Sequence, residues 1–148
     1  MKNALIIFVR NPVLGKVKTR IAAALGEPEA LRIYSALLEH THEISKSIDA
    51  DKYIFYSDYL QLGDTWEDDM YQKYLQAGET LGDKMKGAFT CLCDKSYEKT
   101  VIIGSDCYEL SAGLIGKAFE ALDEKEAVIG PARDGGYYLL GIKKMIPD

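Results

Sequence analysis

Three stretches of this sequence combine residue types able to hold a phosphorylated ligand. The first is Arg10-Asn11-Pro12-Val13-Leu14-Gly15-Lys16-Val17-Lys18-Thr19-Arg20, which follows the apolar run Ala4 to Val9. A loop between a buried strand and a helix lies at the ligand edge of an open α/β sheet, where amide donors and the helix dipole attract an anion. Lys16, Lys18 and Arg20 are therefore candidates for phosphate contact, with Arg10 at the loop's entry. Residues 1–26 hold five cations and no acid, while the whole chain has 18 cations, 23 acids and a net charge of −5, which leaves −10 for the rest. A solvated basic turn is the simpler alternative, but this excess is more than solubility needs. The stretch lacks the leading Gly and the Gly-Lys-Ser/Thr ending of a Walker A loop, and it lacks G-x-G-x-x-G. Neither an ATPase nor a dinucleotide dehydrogenase is supported.

The second stretch is Gly104-Ser105-Asp106-Cys107, directly after the apolar Val101-Ile102-Ile103. A carboxylate at a strand end can coordinate Mg²⁺ or Mn²⁺, hard cations that bridge to ligand phosphates, and Asp106 is the candidate metal ligand. The third is Gly130-Pro131-Ala132-Arg133-Asp134-Gly135-Gly136-Tyr137-Tyr138. Two glycines after Asp134 let backbone approach a ligand closely, and a hairpin turn is the alternative for Asp-Gly. Taken singly, Asp106 and Asp134 fit a turn or a helix cap as well as a ligand site; both at strand ends favour the functional reading.

The elements that must position these stretches are short apolar runs alternating with longer amphipathic ones, the pattern of an α/β sheet with crossover helices. Ala4 to Val9 is continuous enough for a central strand covered on both faces. Glu27-Pro28-Glu29 opens a helix expected to reach about Ile48, with Leu31, Tyr34, Leu37, Leu38 and Ile44 on its apolar stripe. Further strands are expected at Tyr53 to Tyr56, Tyr71 to Leu75, Val101 to Ile103, Ala127 to Ile129 and Tyr137 to Ile142. Helices are expected at Leu81 to Cys93 and Leu110 to Leu122, the latter N-capped by Ser111. The expected fold class is α/β, a Rossmann-like, mostly parallel sheet flanked by helices.

A length of 148 residues suits one domain, and 47% hydrophobic with 28% charged residues excludes a largely disordered or fibrous chain. No apolar run reaches the roughly 20 residues of a membrane span, and the basic-then-apolar start is cut by Arg10 with no small-residue cleavage site after it. The acidic total argues against nucleic acid as the main partner. Three cysteines give no disulfide framework, so a cytoplasmic setting is expected.

Other residues are weaker candidates. His40 and His42, two apart on a helix, cannot pair on one metal and are expected at the surface. Cys91 and Cys93 are expected to pack within their helix. Cys107 lacks the C-x₅-R loop or partner His of a nucleophile. Asp64, Glu67, Asp68 and Asp69 resemble a solvated acidic loop.

In order, Phe8-Val9-Arg10-Asn11-Pro12 through Gly15, Lys18-Thr19-Arg20, Gln76 with Leu81-Gly82, Gly104-Ser105-Asp106-Cys107, and Gly130-Pro131 with Asp134-Gly135-Gly136-Tyr137 resemble one family across nearly the whole chain. It is the small bacterial and archaeal glycosyltransferase-like family described as rSAM/selenodomain-associated transferases, some members of which are linked to arsenosugar biosynthesis. The resemblance implies a GT-A nucleotide-diphospho-sugar transferase fold. It also implies a diphosphate held by Lys18, Thr19 and Arg20, a base pocket lined near Gln76, Leu81 and Gly82, a metal-binding Asp106, and a sugar side formed by Asp134, Gly135, Gly136 and Tyr137, with Asp106 and Asp134 the expected catalytic residues. Family members usually carry Arg at Lys84 and Pro at Tyr108; Lys84 keeps the charge without bidentate recognition. Residues 1–148 are expected to form a single nucleotide-diphospho-sugar transferase-like domain; relatives usually continue past the strand ending at Ile142 with acceptor-side segments, which this domain is expected to lack. The leading reading is a glycosyltransferase using a nucleotide-diphospho-sugar with Mg²⁺ or Mn²⁺. The alternatives are a nucleotidyltransferase acting on an NTP and a phosphorylated acceptor, and a non-catalytic nucleotide-binding module.

Overall fold

The computed structural model describes residues 3–11, 23–105, 110–131 and 137–143. Strand β1 (Asn3–Val9) is followed by helix α1 (Glu27–Lys46), strands β2 (Asp51–Tyr56) and β3 (Tyr71–Leu75), and helix α2 (Leu81–Leu92) with a 3₁₀ turn at Cys93–Lys95. Strand β4 (Lys99–Gly104), helix α3 (Ala112–Ala121), and strands β5 (Ala127–Pro131) and β6 (Tyr137–Lys143) complete it. The sheet runs β3-β2-β1-β4-β6-β5, with β3, β2, β1 and β4 parallel and β6 antiparallel to both its neighbours. This is the expected α/β, mostly parallel Rossmann-like architecture.

Alternation along β1 builds two cores. Leu5, Ile7 and Val9 pack with Tyr34 and Leu38 of α1 and with Ile115, Ala118 and Phe119 of α3. Ala4 and Ile6 face the other way, onto Ala88, Phe89 and Leu92 of α2. Both faces of β1 are thus covered, which is why the run is apolar at every position. On α1 the buried positions Ala30, Tyr34, Leu38, Thr41 and Ser45 recur at helical spacing. Pro28 starts this helix, and Ser111 caps α3 by accepting from the Leu114 N–H.

Several boundaries move for reasons of pairing. β2 begins at Asp51 and β4 at Lys99 because the parallel ladders start there, opposite Ala4 and Asn3 of β1. α1 ends at Lys46, where Ile48 N–H turns back to Ser45 O, two residues short of the expected Ile48. α3 starts at Ala112, since the cap at Ser111 leaves Leu110 outside the helix. β5 extends to Pro131 because Tyr137 pairs with it.

Four expectations about side chains are corrected. His42 is not at the surface: its side chain is 13% exposed, beside Trp66 and Tyr71, with Nε2 2.5 Å from Glu67 Oε1. His40 is half-buried, its Nε2 hydrogen-bonded to Leu110 O at 2.9 Å. The acidic loop is only partly solvated: Asp64 and Asp68 both receive Lys73 Nζ from β3, and Tyr56 OH donates to Asp64. These bonds hold down the segment bearing Trp66, which is 1% exposed. Cys91 is exposed rather than packed.

Candidate functional site

The direction of each strand fixes the site. β1 to β4 are parallel, and β5, antiparallel to β6, which is itself antiparallel to β4, runs with them. The carboxyl ends of β1, β4 and β5 therefore lie on one edge, together with the start of β6. Each of the three chemistry-bearing stretches leaves the sheet at this edge. It is also where the chain order reverses, β1 lying between β2 and β4, the place where open α/β sheets bind ligands.

Helix α1 ties this edge together. Tyr34 OH accepts from Arg10 N–H at 2.9 Å and shares a 2.8 Å hydrogen bond with Ser105 Oγ. Thr41 Oγ1 lies 3.3 Å from Ser105 O, and His40 bonds Leu110 O. Residues on both sides of 106–109 are thus held by one helix.

A second set of bonds joins β1, β2 and β3. Asn11 is fully buried; its N–H donates to Ser57 Oγ at 3.2 Å and its Nδ2 to Tyr59 O at 3.0 Å, while its Oδ1 accepts from the N–H groups of Asp58 and Tyr59 at 3.0 and 3.2 Å. Ser57 N–H donates to Val9 O at 2.9 Å. Gln76 N–H donates to Tyr56 O at 2.9 Å, and its Nε2 reaches Phe55 O at 2.9 Å and Val9 O at 3.5 Å. Past Gln76, Gly78 takes φ +126°, where a Cβ would lie 2.7 Å from Asp83 Cβ. Thr80 and Asp83 then cap α2 reciprocally, Asp83 N–H donating to Thr80 Oγ1 at 3.0 Å and Thr80 N–H lying 3.5 Å from Asp83 Oδ2.

Among the candidate residues, Arg10 is exposed at the end of β1, Gln76 is half-buried, and Leu81, Gly82 and the half-buried Lys84 sit in the first turn of α2. Tyr137 opens β6. Gly15, Lys16, Lys18, Thr19, Arg20, Asp106, Asp134, Gly135 and Gly136 lie outside the described residues, as do Cys107 and Tyr108. Among the described residues no group of three or more His, Cys, Asp or Glu is placed to hold a metal, and no helix is long and apolar enough to cross a membrane.

Sequence reasoning missed the bracing residues Asn11, Tyr34, Ser57 and Thr80. Only the Thr80-x-x-Asp83 spacing carried a signal, that of a capping box. The others act across separations of 24 to 71 residues, which no local pattern reveals.

The family described as "Uncharacterized protein conserved in bacteria (DUF2064)" matches residues 41–148. The chain belongs to this family. No curated protein gives a significant sequence match. Among solved structures, a protein described as a "putative nucleotide-diphospho-sugar transferase" from Desulfovibrio desulfuricans is 32% identical, with a TM-score of 0.86 over 97% of this chain. The match covers 64% of that protein, so this chain spans just under two thirds of its length. A 4-diphosphocytidyl-2C-methyl-D-erythritol synthase from Anaerococcus prevotii shares the fold at 14% identity and TM-score 0.59, over 97% of this chain and 70% of that one. A CMP:2-keto-3-deoxy-manno-octonic acid synthetase complexed with CTP does so at 7% identity and TM-score 0.57, over 97% and 75%. The fold is therefore the Rossmann-like one shared by nucleotide-diphospho-sugar transferases and cytidylyltransferases.

Proposed function

We propose that residues 1–148 form a donor-binding domain of a transferase that takes a nucleotide-diphospho-sugar and passes the sugar to an acceptor hydroxyl. The observation that carries this reading is the convergence of the ends of β1, β4 and β5 on one edge, with α1 bracing Arg10 and Ser105 across it. The likeness to the Desulfovibrio protein supports the same class of donor.

In this reading Gly15, Lys16, Lys18, Thr19 and Arg20 bind the diphosphate, and Arg10 and Lys84 flank it. Gln76, Leu81 and Gly82 border the base, and Asp134, Gly135, Gly136 and Tyr137 border the sugar. Asp106, the residue after the braced Ser105, would hold Mg²⁺ or Mn²⁺. Its carboxylate suits a hard cation that needs only one or two protein carboxylates beside the ligand's phosphates. When bound, such a cation supplies charge neutralisation of the departing diphosphate. The cations of the loop hold that same charge in place as it develops.

A thermal-shift panel of UDP-, GDP-, ADP- and dTDP-sugars and the matching NTPs, each with Mn²⁺, Mg²⁺ or chelator, tests the reading. Ligand at a hundred times its dissociation constant stabilises by roughly 2.7 kcal/mol, and a metal-dependent shift with one sugar nucleotide is expected. Silence across the panel would overturn it. Calorimetry with Mn²⁺ on Asp106→Ala tests the metal assignment, which unchanged affinity would remove. The fold shared with cytidylyltransferases favours nucleotidyl transfer as the second reading, and pyrophosphate release from an NTP distinguishes it.

A further inference from the structure

Asn11 is an amide with no exposed surface whose hydrogen-bonding groups are devoted to the segment after β2. Both backbone polar groups of Tyr59 are bonded to it, so this residue is fixed to the end of β1. A buried amide satisfied in this way holds one backbone geometry. Tyr59 as a residue is nevertheless 46% exposed. Close by, Val9 O receives both Ser57 N–H and Gln76 Nε2, which brings the segments after β2 and β3 to the same strand end. Gln76 Nε2 is turned inward to two carbonyls, leaving Oε1, for which no partner exists among the described residues, as its acceptor. Leu75, the last residue of β3, is 47% exposed.

An exposed aromatic residue whose backbone is fixed at the same strand end as an inward-anchored amide suits a flat ligand with an apolar face and a polar edge. At the carboxyl edge of this sheet such a ligand is a nucleobase. We infer that Tyr59 is the platform on which the base of the bound nucleotide stacks, with Gln76 Oε1 accepting from an N–H on the base edge. This rests on the nucleotide-binding reading above and adds to it a residue that governs base affinity and leaves the phosphates alone.

The test is calorimetry on the full chain with CDP, UDP, ADP, GDP and dTDP in Mg²⁺, and with inorganic pyrophosphate as a probe without a base. Tyr59→Ala is expected to weaken the best-bound nucleotide by about tenfold or more, in the range of base–aromatic stacking, and to leave pyrophosphate affinity unchanged. Tyr59→Phe and Tyr59→Trp retain a π face and keep the affinity. Tyr59→Leu, which retains only apolar area, is expected to behave like the alanine variant. A wild type that binds a nucleotide together with an alanine variant within about twofold of it overturns the inference alone. Equal losses for nucleotide and pyrophosphate overturn it too, since the effect is then not on the base, as does a leucine variant that binds like wild type. A wild type that binds none of the five nucleotides overturns the underlying reading, and this one with it. Retained Trp66 fluorescence confirms that each variant is folded, because Trp66 is the one tryptophan and is 1% exposed.

Discussion

Tyr34→Phe removes one oxygen from the middle of the brace between β1 and β4 and leaves the ring in the core. That ring is 4% exposed and packs in the cluster with Leu38, Val9 and Ile103, so no cavity opens. Two groups lose the Tyr34 oxygen: Arg10 N–H, part-buried, and Ser105 Oγ, on a residue also 4% exposed. A buried polar group left unpaired costs about 1–3 kcal/mol. The Ser105 hydroxyl can rotate to another acceptor and the Arg10 amide is only part-buried, so two partial penalties give about 2 kcal/mol. For a chain of 148 residues this lowers Tm by about 4–8 °C. Urea unfolding followed by Trp66 fluorescence measures the loss directly. Ser105→Ala and the double variant complete a cycle in which the two losses should be non-additive by at least about 0.5 kcal/mol. A Tyr34→Phe variant within about 0.5 kcal/mol of wild type, the range of an ordinary surface change, would refute the reasoning, and so would a fully additive cycle.

Further outcomes follow from other parts of the edge and its supports. Gly78→Ala places a Cβ 2.7 Å from Asp83 Cβ at a φ of +126°, and a loss of about 1–3 kcal/mol in urea unfolding is expected; an unchanged midpoint would show that the turn before α2 has another conformation. Glu67 is held below its usual 4.5 chiefly by the hydrogen bond to His42, and Asp68 below its usual 3.8 chiefly by Lys73. Lowered carboxylates contribute stability that is complete above their usual values and lost as pH falls through the lowered ones. Tm should therefore drop below about pH 4.5, and Glu67→Gln with Asp68→Asn should flatten that slope; equal acid slopes in the two proteins would exclude this origin. Arg20→Ala should weaken nucleotide binding about tenfold at low salt, with the difference fading as salt is added. A salt-independent loss would rule out phosphate contact.

What could be read from the sequence divides by distance along the chain. Strand β1 was legible because burial on both faces demands apolar residues at every position, and α1 because its inner face repeats with the helical period. The ends of β2 and β4 were not, since Asp51 and Lys99 enter the sheet only by pairing with β1; the sequence offers no apolar cue there. The segment with Asp64, Glu67 and Asp68 looked solvated because its charge is dense, yet its hydrogen-bonding partners come from elsewhere: Lys73 of β3 and His42 of α1. Once those pairs form, Trp66 can be buried beneath them. At the edge itself the three stretches were recognisable by residue type, but the side chains that fix their roots, Asn11, Tyr34 and Ser57, are ordinary polar residues whose partners lie far away in sequence.

The convergence of the three stretches follows from topology before any side chain is considered. With β1 and β4 parallel and adjacent, the segments after Val9 and after Gly104 must leave on the same side. β6 is inserted antiparallel between β4 and β5, and this reversal makes β5 run with β4 and puts the 132–136 connection on that side as well. The register agrees: Ile103 pairs with Leu139, and Pro131 pairs with Tyr137, so the root of that connection lies level with Ser105. Had β5 paired directly with β4 in antiparallel sense, its end would face the opposite edge, and Asp134 could not share a ligand with Asp106. The antiparallel step is thus the feature of the sheet on which a joint role for the two aspartates depends. The α1 brace then fixes the spacing between the ends of β1 and β4, which is why Tyr34 matters without belonging to any of the three stretches.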